Sequence, residues 1–331
     1  MSDARASISE LILSIDQIIL RNLSKSRSKL EIDFAFRTGS TVRGDFAVSP
    51  EGSLVSDIEY LIICKKKYRS DIPIKAIRQE IDSVLKRNKA IDPRLVEISF
   101  SGPYGSRLRK RAYFFLEAVH EGVWLIGNER KHELLPTSLS IHFVNFTLLT
   151  RLYDLSFVAE LLYNDDQQLH GLQSAAYRVA KSARHFCTMA YYRSSDVFRP
   201  FMEREAYLYS RHAEYRKYLE KPLEWSRKVY CGEEEAFNRF HIEQSYKSIL
   251  DFAEYYIERE SLVERWPIGR SNIIERIRDC SLKANYHVLG VVDSSICYRE
   301  LTLDFLFSMR QKNAEMLTKS REKFSHIVGG Y

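Results

Sequence analysis

Asp57 and Glu59, one residue apart, open the run Asp-Ile-Glu-Tyr-Leu-Ile-Ile-Cys, which ends at Cys64. Its apolar, β-branched composition predicts a strand from Asp57 to Cys64. In a strand, residues i and i+2 leave the same face, roughly 6.5–7 Å apart. Asp57 and Glu59 would therefore project together while Ile58 turns into the opposite layer. Two carboxylates side by side repel, and that disfavours a strand unless a cation lies between them. A hard divalent cation such as magnesium takes oxygen ligands of this kind, usually one or two carboxylates plus substrate phosphates. Upstream, the short apolar strand Phe34-Ala35-Phe36 leads into Gly39-Ser40. Glycine allows close backbone approach, and Ser40 offers a hydroxyl and an N–H to a phosphate oxygen at the start of a short helix. Arg43, on the same loop, is a further phosphate candidate. Taken singly, Gly-Ser is an ordinary turn and Asp-x-Glu an exposed strand end. Together they describe a metal site beside a phosphate turn.

A third acid lies in Arg94-Leu95-Val96-Glu97-Ile98-Ser99-Phe100, a predicted strand bounded by Pro93 and by Gly102-Pro103. Glu97 stands between Val96 and Ile98. Strand alternation permits it as a plain solvent-facing position; it also permits it as a ligand. Asp92 is a reserve candidate, at the strand's edge before Pro93.

Gly39-Ser40, followed by Ser56-Asp57-Ile58-Glu59 at the head of an apolar strand, resembles the signature of the DNA polymerase β-like nucleotidyltransferase superfamily. The similarity is greatest to the branch holding kanamycin nucleotidyltransferase, streptomycin adenylyltransferase and the minimal nucleotidyltransferases. Those read Gly-Ser, a loop, then Ser-Asp-hydrophobic-Asp, and the Asp-x-Glu form resembles the kanamycin enzyme. Leu95-Val96-Glu97-Ile98-Ser99 resembles their third acidic motif, which implies that Glu97 completes a carboxylate trio. Glu121-Gly122-Val123-Trp124-Leu125-Ile126-Gly127 is similar to the strand closing their catalytic domain. The resemblance covers about residues 30–130. One departure is the loop: Asp57 lies seventeen positions after Ser40, and Pro50-Glu51-Gly52-Ser53 reads as an inserted tip.

The elements that must position these residues follow from periodicity. Ile8, Leu11, Ile12, Ile15, Ile18, Ile19 and Leu23 recur at helical spacing over 7–23, with Ser7 or Ser9 near the cap. Glu31 to Arg37 is the first strand. Ile77, Ile81, Val84 and Leu85 set a helix over Ile74 to Lys86, and Tyr113 to Val119 another. Residues 141–163, 168–193, 198–220, 233–261, 270–289 and 294–320 are helix-compatible, with breaks near 164–166, Pro200, Pro222, Cys231-Gly232, Pro267-Ile268-Gly269 and Gly290. The expected fold is α+β: a nucleotidyltransferase-type mixed sheet with flanking helices over 1–135, then an all-helical bundle over 136–331. The resemblance implies that such a bundle closes the cleft and recognises the acceptor.

A hydrophobic content of 45% supports a sizeable core, and the net charge of +6 suits a nucleotide-handling enzyme without requiring nucleic acid. No apolar run is long enough to span a membrane, and a secretory signal is not expected at the N-terminus. Five cysteines, widely spaced, read as reduced thiols of a cytoplasmic protein. Three basic features call for a reading. Lys65–Arg69 leaves the far end of the Asp57 strand, roughly 23 Å from the acids. Arg107–Arg111 lies in a loop that could fold back toward them. Arg178, Lys181, Arg184 and His185 share a helix face, where they either neutralise a triphosphate or form a solvated basic stripe.

The reaction this resemblance implies is magnesium-dependent transfer of a nucleoside monophosphate from an NTP, ATP above all, to a hydroxyl of a small sugar- or aminoglycoside-like acceptor. In that scheme Asp57 and Glu59 hold two magnesium ions, Glu97 binds the acceptor-side ion, acts as general base, or does both, Gly39, Ser40 and Arg43 contact the phosphates, and Arg178 and Lys181 are further phosphate candidates. Two rivals stand beside it: a macromolecular acceptor such as a tRNA end or a protein hydroxyl, and a non-catalytic nucleotide-binding regulator.

Overall fold

The computed structural model describes residues 2–65, 74–88, 90–101, 113–135, 139, 141–163, 169–259, 298–311 and 313–328. The chain is α+β and divides into two compact units, the first built on Met1–Leu139 and the second on Ser140–Val229 and later helices. The basic run 107–111, the last four residues of the run 65–69 and the helix expected over 270–289 lie outside the described residues.

The first unit starts with α1 (Ser2–Leu30), which is longer than its periodicity predicts. Neither Ser7 nor Ser9 caps it. Ser9 lies in the helix interior and donates its hydroxyl to the Arg5 carbonyl at 2.9 Å. The apolar stripe of α1, from Ile8 through Ile12, Ile15 and Ile19 to Leu23, is fully buried. Then follow β1 (Ile32–Thr38), the single turn α2 (Ser40–Arg43), β2 (Ile58–Cys64), α3 (Ile74–Leu85), β3 (Val96–Ser101), α4 (Tyr113–Glu121) and β4 (Val123–Ile126). The strands form one mixed sheet in the order β3-β2-β1-β4. β1 runs antiparallel to both β2 and β4, and β2 runs parallel to β3. A parallel pair needs a crossover connection, and α3 lies in it.

Alternation along β2 sorts its side chains into two cores. Ile58, Tyr60, Ile62 and Cys64 join the stripe of α1 and Ile77, Ile81 and Leu85 of α3. Leu61 and Ile63 join Phe34 and Phe36 of β1 and Phe115, Ala118 and Val119 of α4 on the opposite face. The long loop before β2 is packed into the first core. Phe46, Val48 and Leu54 are buried there. Ser49 N–H donates to the Ser53 carbonyl at 2.8 Å and Gly52 N–H to the Ser49 carbonyl at 2.9 Å, closing the Pro50–Ser53 tip. Arg5 of α1 donates to the carbonyls of Gly44 and Phe46 at 3.1 and 3.0 Å, tying that loop to the helix.

The described part of the second unit is helical: α5 (Ile141–Tyr163), α6 (Leu169–Ser194), α7 (Phe201–Arg211), α8 (Ala213–Cys231), α9 (Arg239–Arg259), α10 (Tyr298–Arg310) and α11 (Ala314–Val328). Ala175, Ala176, Val179, Ala180 and Ala183 form a buried small-residue face on α6, against which neighbouring helices pack closely. Pro222 does not break the chain as expected. It is buried inside α8, which continues to Cys231, and the interruption falls at His212. Packing of the buried residues around Pro222 outweighs the one backbone bond it forfeits. No helix among the described residues is long and apolar enough to cross a membrane.

Candidate functional site

Glu59 and Glu97 are direct partners in the parallel β2–β3 register. Paired residues on neighbouring strands project from the same face, so both carboxylates leave the face of Leu61 and Ser99. Tyr60, the next residue, leaves the other. Glu59 is half-buried and Glu97 is exposed. Asp57 departs from the expectation: β2 begins at Ile58, and Asp57 sits one residue ahead of it. Strand alternation therefore does not reach Asp57. The segment before it pairs with the upstream loop instead, through Val55 N–H to the Ala47 carbonyl at 3.0 Å and Ala47 N–H to Ser56 Oγ at 2.7 Å.

On its other side Glu59 pairs with Thr38, the last residue of β1. Gly39 follows, with φ 84° and ψ −163°, a conformation that L side chains rarely adopt. A Cβ built at Gly39 would lie 3.0 Å from Glu59 Oε2. The Gly39-Ser40 turn and the Glu59 carboxylate thus abut, and only glycine leaves that approach open. Ser40 begins α2, which has four residues. So few aligned peptides sum to little dipole, which leaves the Ser40 hydroxyl and the turn amides as the groups to meet an anion.

Arg43 closes α2 with its guanidinium against Asp45 at 3.3 Å and Glu121 at 3.4 Å. Burial opposes its charge, yet Asp45, Glu117 and Glu121 outweigh that and raise its pKa above the usual arginine value. Its side chain is engaged by acids of the loop and of α4. Asp92, the reserve acid, has a local role: it caps the turn Pro93–Leu95 by accepting from Arg94 N–H at 2.9 Å, and it also accepts from the Arg94 guanidinium. Those Arg94 hydrogen bonds hold its carboxyl below the usual aspartate range. Arg178 and Lys181 lie on α6 in the second unit. Arg178 pairs with Asp154 at 3.7 Å and lies over the Phe157 ring, and Arg184 lies over the ring of Phe201.

A second polar group, which periodicity did not single out, lies behind the turn. Arg37 of β1 is 4% exposed and donates through Nε and Nη2 to the two oxygens of Asp16 on α1, at 3.0 and 3.1 Å. Tyr60 of β2 donates its hydroxyl to the same carboxylate at 2.6 Å. The remaining Arg37 nitrogen, Nη1, donates to the Thr41 carbonyl in α2 at 2.9 Å. Burial, followed by the Asp16 charge, raises the Tyr60 pKa far above its ordinary value, so its hydroxyl remains a donor. Removing one partner of such a buried pair commonly costs about 3–5 kcal/mol, because the other charge is left without compensation. The signal in the sequence was Asp16 itself, a carboxylate set among Ile12, Ile15 and Ile19 on an otherwise apolar stripe.

The donors fit a hard divalent cation in chemistry, being carboxylate oxygens, and two of the three fit in register. The side chains do not close on one point: among the described residues, no three His, Cys, Asp or Glu side chains are grouped so as to hold a metal ion. Compared with protein-family models, curated proteins and solved structures, the chain matches none.

Proposed function

We propose that the first unit is a magnesium-dependent nucleotidyltransferase that moves a nucleoside monophosphate from an NTP to the hydroxyl of a small acceptor. The observation that carries this reading is the pairing of Glu59 with Glu97 on one face of the sheet, with the Gly39-Ser40 turn against Glu59. Two acids held opposite each other on neighbouring strands oppose sheet formation, and a cation-dependent activity accounts for them.

Glu59 and Glu97 would hold the magnesium from paired positions, and Asp57, one residue ahead of β2, would have to close on them to complete the set. When bound, such ions supply charge neutralisation at the leaving pyrophosphate and activation of the acceptor oxygen. The chain's own residues do the rest. Ser40 donates to a phosphate oxygen, and the Gly39 backbone admits the triphosphate close to the sheet. Glu97, the most accessible of the acids with a settled register, accepts the acceptor's proton, for which it must come within about 3 Å of the hydroxyl. The acceptor oxygen then forms its bond to the α-phosphorus as the bond to pyrophosphate breaks.

The test is incubation of the full chain with each labelled NTP, magnesium and a panel of sugars and aminocyclitols, scoring pyrophosphate release together with the mass of the acceptor. Pyrophosphate release with a matching mass gain supports the reading. Nucleotide binding without turnover on any acceptor opposes it, as does full activity in Asp57→Asn.

A further inference from the structure

We infer that Arg37 is a positioning residue for the candidate phosphate turn, held in place by Asp16 and Tyr60; this rests on the nucleotidyltransferase reading only for its consequence in nucleotide binding. The geometry is that of a bracket. Asp16 on α1 fixes two nitrogens of the Arg37 guanidinium, and the third reaches the carbonyl of Thr41, inside the turn that begins at Ser40. Arg37 and Tyr60 are themselves register partners across β1 and β2. Both side chains therefore meet Asp16 on the face opposite Glu59. One planar cation thus joins α1, two strands and α2 behind the site.

The consequence lies in small displacements. Gly39 approaches Glu59 so closely that a single added carbon would stand 3.0 Å from Oε2. Val42 N–H donates to the Gly39 carbonyl at 3.2 Å where α2 begins. A one-turn helix has little cooperative stability of its own. The Arg37 bond to the Thr41 carbonyl ties this short turn to the buried side of the sheet. Lysine cannot replace it, since a single ammonium cannot present the planar fork that spans a carboxylate and a carbonyl at once. Tyr60 sets the angle of the Asp16 carboxylate, so its hydroxyl acts on the turn at one remove.

The experiment compares the full chain with Arg37→Lys, Tyr60→Phe and, as a control for plain core loosening, Ile62→Val on the same strand. Hydrogen exchange of the backbone amides Ser40–Arg43 is measured beside that of β3 and of α6. Arg37→Lys is expected to speed exchange at Ser40–Arg43 at least tenfold and Tyr60→Phe at least threefold, with β3 and α6 changed less than twofold and Ile62→Val without the selective effect. Unchanged exchange at Ser40–Arg43, or acceleration spread evenly over the sheet, overturns the inference. Should Arg37→Lys fail to fold, Tyr60→Phe decides by the same criteria. Calorimetry with magnesium-ATP forms a separate arm. If the unsubstituted chain binds, Arg37→Lys weakens Kd at least tenfold, and an unchanged Kd overturns the role in the site. If the unsubstituted chain binds no nucleotide, the nucleotidyltransferase reading falls, while the exchange data still decide whether Arg37 sets the turn.

Discussion

Glu59 and Glu97 face each other across two parallel strands, on the side of the sheet away from the Asp16–Arg37–Tyr60 bracket. Nothing in apolar packing calls for two acids in that relation. If the pair holds cations, Glu59→Gln or Glu97→Gln lowers pyrophosphate release on the order of a thousandfold, the loss expected for several kcal/mol of transition-state stabilisation. Stability should shift by no more than about 1 kcal/mol, since like charges opposite one another do not stabilise the pairing. Parallel turnover assays and urea unfolding separate the two effects.

Gly39→Ala forces a side chain into a backbone conformation with φ 84° and against Glu59 Oε2. The expected cost is about 1–3 kcal/mol, read as a lower midpoint in urea. Turnover falls with it, because Glu59 must move aside. An unchanged midpoint would show that the turn adapts.

Thr41→Val has the opposite sign. Thr41 Oγ1 is buried without a hydrogen-bond partner, although the Thr41 carbonyl is well used by Arg37. Replacing an unsatisfied hydroxyl by a methyl group of similar shape is neutral or stabilising, by up to about 1 kcal/mol. Thermal unfolding measures it, and a fall in Tm would mean that the hydroxyl has found a partner such as water.

In the second unit, Arg321 of α11 clasps α5. Its nitrogens donate to Ser156 Oγ at 2.9 Å, to the Ser156 carbonyl at 2.8 Å and to Glu160 at 2.9 Å, and it covers the Phe157 ring. Arg321→Lys keeps the charge but loses the fork and the stacking. A loss of about 1–3 kcal/mol is expected, visible by urea unfolding.

Burial pushes the Cys187 thiol up to about 12 and the Cys64 thiol up to about 11. Unfolded thiols ionise near pH 9, so their share of stability is complete below that pH. It declines as pH rises from about 9 through 11 to 12, where the unfolded chain loses protons that the folded chain retains. Peptide-mapped alkylation at pH 8 should modify exposed Cys231 well before Cys64 or Cys187. Equal labelling of all three would contradict their burial.

Much of the first unit was legible residue by residue. The alternation in Val96–Phe100 and the stripe from Ile8 to Leu23 specify elements because period two and period 3.6 bury one face each, whereas Ile58–Cys64 is specified by its apolar, β-branched run, buried on both faces. The boundaries were less legible. Asp57 falls outside its strand because β1 ends at Thr38, opposite Glu59, and the chain then turns away at Gly39, and Pro222 rides inside α8 because buried neighbours hold it there. Asp92 resembled a spare ligand and is a cap, a distinction set by one hydrogen bond to Arg94.

The sequence by itself determined the strands and flanking helices of the first unit and the helical character of the described second unit, and that Asp57, Glu59 and Glu97 lie on or beside strands near a glycine turn. Those facts follow from local periodicity and from the conformational freedom of glycine. Only the tertiary structure decided that β2 and β3 run parallel with Glu59 opposite Glu97, and that Arg37 reaches Asp16 and Thr41 at once. Strand order and buried ion pairs depend on residues far apart in the chain, and a one-residue slip in register would send a carboxylate to the opposite face.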